Sequence, residues 1–331
     1  MKRLLLCISA GIITAAAISL IYSCLFDGEI NYYKKANTIT SLHERKIRAA
    51  GHPCYVLAGG SETKSSISPA FMLEEADIKA INTATAAGFG VASNIAIAIN
   101  HLHPGDTLIL GLLSTQEENI IASKNGIKLI TQLYGAKAFQ HDIIPLNIRN
   151  ILSLFSANAG NMMVGLVRRC TRGYAYVYEK ESTLHLDGWM EILRNTMQNA
   201  PLPKTIASDI TFSTECSVIL QKTMAACKKI QADFLVMLPV GFTNEYETKR
   251  RLMHALQLTR MGIPVLRDER LGRTPDNTLY SDTMFHMNAE GTEQNSRIIA
   301  RLLKEKRYWT EQELLEQMNA RGFTEDATPQ K

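Results

Sequence analysis

Short apolar runs alternate with longer amphipathic stretches along most of this chain. "CYVLA" (54–58), "IKAIN" (78–82), "TLILGLL" (107–113), "FLVMLP" (234–239) and "IPVL" (263–266) are apolar on both faces and only four to seven residues long. Runs of that kind predict strands of a parallel sheet covered on both sides. Between them, "VASNIAIAINHL" (91–102), "TECSVILQKTMAACKKIQ" (214–231), "NEYETKRRLMHALQLTRMG" (244–262) and "NAEGTEQNSRIIARLLKEK" (288–306) carry helical spacing. Gly262 marks a helix stop and Asn288 an N-cap. Strand alternating with helix predicts an α/β fold: three layers, α/β/α, doubly wound around a mainly parallel five-stranded sheet. Residues 140–210 break the rhythm. "GYAYVYEKESTLHLDGW" (173–189) reads as a hairpin or irregular insertion, and the whole of 160–205 as an elaboration on one domain.

The first thirty residues follow another pattern. After Lys2 and Arg3, residues 4–26 carry no charge. That run, at about 1.5 Å per residue, reaches roughly 35 Å, enough to cross a bilayer core of about 30 Å. A cleaved signal peptide has a shorter apolar run, of about 7–15 residues. An uncleaved single-pass anchor is therefore preferred over a signal peptide or, at Cys24, a lipoprotein site. The basic pair keeps the N-terminus in the cytoplasm and exports the rest, although Lys34 and Lys35 beyond the run pull the other way. The expected organisation is an anchor at 1–29, a juxtamembrane stalk or helix at 30–52, the main domain at 53–308, and a C-terminal helix and tail at 309–331.

Composition narrows the function. With 46% hydrophobic and 21% charged residues, the chain can bury a sizeable core. The net charge of +4 is mild and no basic block stands out, so nucleic acid is not an expected partner. No CxxC occurs, and no metal site is expected. His101 and His103 in "NHLHPGD" sit at a predicted helix C-terminus, which a partly positive imidazole favours. Cys54, Cys170, Cys216 and Cys227 belong to the exported part. Cys216 and Cys227 share one predicted helix and lie about 16 Å apart along it, too far to pair.

A doubly wound sheet places its site at the carboxyl ends of its strands. The first strand ends in "AGGSETKSS", which sets Ser61 directly off a Gly59–Gly60 turn. The second ends in "INTATAAGFGV", where Asn82 and the amides around Gly88 are candidates to bind a developing oxyanion. The third ends in "GLLSTQEEN", with Ser114, Glu117 and Asn119 in reach of the same cleft. "YSDTMFHMNAEGT" (280–292) places Asp282 four residues before His286, in the loop before the last long helix. An aspartate orienting a histidine that deprotonates a serine is a relay for covalent catalysis. The same residue types also serve as turn formers and caps, so the relay requires Ser61 and His286 to meet in space. Tyr174, Tyr176, Tyr178 and Trp189 in the insertion offer either stacking faces for a sugar or ordinary packing. His185 with Asp187 reads as a ligand pair or a solvated turn.

On these residues the chain resembles the SGNH (GDSL-like) hydrolase superfamily over about residues 53–305. "VLAGGSETKSS" is similar to the block that carries the nucleophile, here Ser61. "LYSDTMFHMNAEG" follows the closing pattern FYDTxYHLNxxG of membrane-anchored, exported members linked to O-acylation of bacterial surface polysaccharides. Gly60 replaces the usual Asp before the nucleophile, and the Gly-x-Asn-Asp block after the third strand is not recognisable, leaving Asn119 as its only candidate. The resemblance implies a flavodoxin-like hydrolase fold and an acyl-Ser61 intermediate. It implies catalysis by Ser61, His286 and Asp282, with Gly88, Asn82 and Asn119 at the oxyanion and substrate, and no cofactor. It implies a surface carbohydrate or acyl-ester substrate and a membrane acyl-donor protein as partner. A non-catalytic scaffold of a polysaccharide assembly and a lipase or thioesterase are the rival expectations.

Overall fold

The computed structural model describes residues 9–11, 13, 14, 17, 27–51, 53–112, 122–144, 147, 148, 150, 159–194, 196, 197, 212–242, 244–274 and 276–323. Four parallel strands form the central sheet: β1 (Tyr55–Ala58), β2 (Ala80–Asn82), β3 (Thr107–Gly111) and, after a long excursion, β6 (Asp233–Met237). Their spatial order is β2-β1-β3-β6. Val56 pairs with Ile81 on one side and Leu108 on the other, and Ile109 pairs with Leu235. Alternate residues feed opposite faces, as the period of two requires. Val56, Leu108 and Val236 join one hydrophobic cluster, and Leu57, Ile109 and Leu235 join another.

Helices cover both faces. They are α1 (Gly28–Ala49), α2 (Ser61–Ser66), α3 (Pro69–Ala76), α4 (Val91–Ile99), α5 (Lys124–Tyr134), α6 (Ala159–Arg172), α7 (Tyr178–Glu181), α8 (Thr214–Ile230), α9 (Glu245–Arg260), α10 (Ala289–Lys304) and α11 (Glu311–Ala320). α1, α4, α5, α8 and α9 contribute to the first cluster, and α3 and α10 to the second. The fold class is α/β with a mainly parallel sheet.

The expected fifth strand at 263–266 is absent as a strand. It contributes a single parallel bridge, Val236 to Val265. Pro264 has no N–H to donate, so the ladder cannot continue through it. Its carbonyl accepts from Val236 at 2.9 Å, and Leu266 donates to the carbonyl of Val236 at 2.8 Å.

Residues 30–52 do not form a free stalk. α1 packs Ile30, Tyr32, Tyr33 and Ala36 into the first cluster. His101 fastens its middle: Nδ1 meets Glu44 Oε2 at 2.6 Å, and Nε2 meets the Tyr134 hydroxyl at 2.9 Å. The helix begins at Asp27, whose side chain accepts from the amide of Ile30. Among the described residues no helix is long and apolar enough to cross a membrane, and most of the run 4–26 lies outside those residues.

The insertion is ordered around α6, α7 and an antiparallel hairpin of β4 (Ser182–Leu184) with β5 (Met190–Ile192). Cys54, Cys170, Cys216 and Cys227 are free thiols, and Cys216 and Cys227 share α8.

Candidate active site

The strand order reverses at β1, with β2 on one side and β3 on the other. Such a reversal opens a crevice at the carboxyl ends of the strands. β1 delivers the chain into it through Gly59 and Gly60, and Ser61 opens α2 there. Gly59 has φ +152°, and a Cβ on it would lie 2.4 Å from Thr63 Oγ1. A Cβ on Gly111, at the end of β3, would meet the same hydroxyl at 2.1 Å. Both positions therefore need glycine, because Thr63 sits between the ends of β1 and β3. That close approach sets where the Ser61 hydroxyl emerges.

The loop before α10 is built to hold an acid and a histidine together. Tyr280 and Met287 form an antiparallel bridge, and the Ser281 amide donates to the His286 carbonyl at 2.8 Å. The His286 amide in turn donates to Thr283 Oγ1 at 3.2 Å. Asn288 caps α10 by accepting from the Gly291 amide at 3.0 Å. A Cβ on Gly291 would meet the Leu279 carbonyl oxygen at 2.4 Å, so the loop closes only over glycine. This is the physical content of the spacing from Asp282 to Gly291.

Across the crevice the two halves meet. His286 Nε2 lies 2.8 Å from Ser61 Oγ, and His286 Nδ1 lies 2.8 Å from Asp282 Oδ1. Both side chains of the acid–histidine pair are largely buried, and Ser61 is half-buried. Burial pushes the Asp282 carboxyl up, but the hydrogen bond and charge of His286, with a further bond from Tyr178, outweigh it and hold the carboxyl below its usual range. An ionised Asp282 only accepts, so Nδ1 carries the proton and Nε2 is left to accept from the Ser61 hydroxyl. The arrangement can make a serine nucleophilic.

Tyr178 is the residue whose role the sequence did not reveal. Its hydroxyl donates to Asp282 Oδ2 at 3.0 Å, and its ring meets the His286 ring edge-on at 6.4 Å. Burial, then the charge of Asp282, raises its phenol above the usual range, which keeps the proton on the donor. Of the insertion's aromatics, Tyr176, Tyr178 and Trp189 pack against neighbouring rings, and Tyr174 is half-buried in a surface recess with Tyr32 and Arg169. Tyr176 packs against Tyr32, Tyr33 and Tyr178. Trp189 is buried; His185 stacks on it at 4.3 Å, and its indole donates to the Ser65 carbonyl at 3.0 Å. His185 also meets Glu191 at 2.9 Å, while Asp187 accepts from Ser68 and from the Ala70 amide. The insertion thus supports α2 from behind.

The proposed oxyanion residues fare differently. Asn82 is buried, and its amide nitrogen donates to the carbonyls of Thr63 and Ile67 while its oxygen accepts from the Ala84 amide. With those groups bonded to backbone, Asn82 ties the middle of α2 and the residue that follows it to the end of β2. Gly88 lies exposed in a 3-10 turn (Ala87–Phe89), and nothing lies within 4 Å of the place its Cβ would occupy. The segment leading to it is tied to the turn before Ser61, since the Thr85 amide donates to the Gly59 carbonyl at 3.0 Å. Ser114, Glu117 and Asn119 lie outside the described residues. Among the described residues no group of three or more His, Cys, Asp or Glu side chains is placed to hold a metal ion.

The chain matches none of the protein families, curated proteins or solved structures with which it was compared.

Proposed function

We propose that this protein is a serine-dependent carboxyl-ester hydrolase or O-acyltransferase working through an acyl-Ser61 intermediate. The observation that carries this reading is the unbroken chain from Ser61 Oγ to His286 to Asp282, with 2.8 Å at each link. Ser61 Oγ attacks an ester carbonyl while its proton passes to His286 Nε2. Asp282 stabilises the resulting imidazolium. The tetrahedral intermediate collapses, the C–O bond to the leaving alcohol breaks, and Nε2–H protonates that alcohol. Water or an acceptor hydroxyl then attacks the acyl-serine while its proton passes to His286 Nε2, the acyl C–Oγ bond breaks, and Nε2–H returns the proton to Ser61 Oγ. The Ser61 amide, in the first turn of α2 where N–H groups lack helical acceptors, supplies one donor to the oxyanion.

The acceptor in this proposal is a cell-surface carbohydrate, and the setting is the outer face of the cytoplasmic membrane, with the N-terminus inside. The closing pattern through Asp282, His286, Asn288 and Gly291 and the apolar run at 4–26 support that part. The inward packing of Tyr176 and Trp189 gives it no help.

The test is labelling of the full chain in detergent by a fluorophosphonate. Labelling of the parent and its loss in Ser61→Ala and His286→Ala is the expected result. Equal labelling of all three, or none of the parent, ends the reading. A panel of acetyl and longer acyl esters, assayed with and without oligosaccharide acceptors, then separates carbohydrate transfer from lipid hydrolysis.

A further inference from the structure

Helix α6 exposes an apolar stripe that the reaction does not use. Met163, Val164 and Val167 are 55%, 49% and 53% exposed, and Cys170 is exposed one turn on. At 100° per residue they share one side of the helix, while Met162 and Gly165 on the other side are buried. Arg168 and Arg172 border the stripe.

Its position in the fold says what covers it. Asn161, Val164 and Arg168 line one recess together with Asp27, Gly28, Glu29, Ala175 and Tyr176. Residues 161 to 168 span roughly 10 Å of helix axis, whereas residues 27 to 29 span about 3 Å. α6 therefore lies beside the N-terminal end of α1. The turn that follows α6 packs closely on the same end of α1: a Cβ on Gly28 would meet the Ala175 carbonyl carbon at 2.6 Å. The stripe is thus held level with Asp27, one residue beyond the uncharged run at 4–26. Bare apolar side chains bordered by arginines, at the height where a membrane anchor ends, have the composition of an interfacial helix.

We infer that α6 lies in the surface of the bilayer, with Met163, Val164 and Val167 among the acyl chains and Arg168 and Arg172 against anionic phospholipid headgroups. This rests on residues 4–26 being a membrane anchor and not on the chemistry of Ser61. It fixes the rotation of the catalytic domain about α1, so that the crevice keeps one orientation to the membrane instead of swinging on a single tether.

The test uses the full chain with Cys7→Ser and Cys24→Ser in vesicles of phosphatidylethanolamine and phosphatidylglycerol. A nitroxide is placed on Cys170, or on Val167→Cys with Cys170→Ser, and on Gln312→Cys in α11 as a water-exposed control. The remaining thiols, Cys54, Cys216 and Cys227, are buried. The expected ratio of oxygen to nickel-chelate accessibility at 167 and 170 is at least fivefold that at 312. A ratio equal to the control overturns the proposal. So does spin–spin broadening that disappears on dilution with unlabelled protein, which would assign the stripe to a second copy. Flotation after an alkaline wash separates the two ideas. A chain that floats with its label in water loses only the docking of α6, whereas a chain that does not float loses the anchor as well.

Discussion

Tyr178 donates a 3.0 Å hydrogen bond to Oδ2 of Asp282, the carboxylate oxygen that His286 leaves free. The tyrosine comes from the insertion, more than a hundred residues before the acid. Tyr178 itself is held from the N-terminal side: its carbonyl accepts from Ser182 at 2.6 Å, and the Ser182 hydroxyl meets that of Tyr32 in α1 at 2.6 Å. The acid is thereby fixed by three elements distant in sequence.

Tyr178→Phe should lower kcat/KM for p-nitrophenyl acetate by about tenfold, because a bond to a charged group is worth about 1.5–3 kcal/mol and the His286 bond remains. The phenol is one of the groups holding the Asp282 carboxyl down. Without it the carboxyl takes up protons at higher pH, so the acid limb of the rate profile should move up. An unchanged limb with an unchanged rate would make Tyr178 mere packing.

Gly59→Ala should fail at the nucleophile before it fails globally. A side chain at φ +152° costs on the order of 1–3 kcal/mol, and the clash with Thr63 Oγ1 displaces the turn that carries Ser61. The expected outcome is a melting temperature lowered by several degrees and fluorophosphonate labelling slowed by more than tenfold at a temperature where the variant is still folded. Parent-like labelling would show that the turn relaxes freely.

Lys64 is buried behind Ser61 and donates to the Asn82 carbonyl at 3.0 Å. Burial pushes its ammonium down to about 7, with Asp187 pulling weakly the other way. An unfolded lysine titrates near 10.4, so between about pH 7 and 10 the unfolded chain binds more protons. Stability should then rise with pH across that window. In Lys64→Met the Asn82 carbonyl keeps its bond from Thr40 Oγ1 and the burial cost is gone. Urea midpoints should show the variant gaining on the parent at pH 6 and losing that gain by pH 10. Parallel curves would refute the buried neutral lysine.

Removing α1 should prevent folding. Burying Ile30, Tyr32 and Tyr33 contributes about 1.5–3 kcal/mol each, together comparable with a typical net stability of about 5–15 kcal/mol. A chain starting at residue 51 should therefore be insoluble, whereas one starting at Asp27, which keeps the N-cap, should fold. Equal solubility and melting of the two would return α1 to the status of a stalk.

The sequence carried the strands of the sheet and the pairing of Asp282 with His286 because both are written in local pattern. β1, β2, β3 and β6 are apolar on both faces, which only a doubly covered sheet accommodates. Asp282, His286, Asn288 and Gly291 lie within ten residues, since one loop must bond the imidazole, cap a helix and pass beneath Leu279. The segment 263–266 misled because hydrophobicity does not reveal that the neighbour of Val236 lacks an N–H at Pro264.

By itself, then, the chain determined which segments form the strands of the sheet and which residue types wait at the strand ends, since apolar burial and turn chemistry act over a few neighbours. Only the tertiary structure decided that Asn82 spends its amide on the backbone of Thr63 and Ile67 and that Tyr178 bonds to Asp282. Those bonds join residues 15 to 104 positions apart. A side chain's partner at such separations is set by the packing of whole elements, which no local pattern of residues contains.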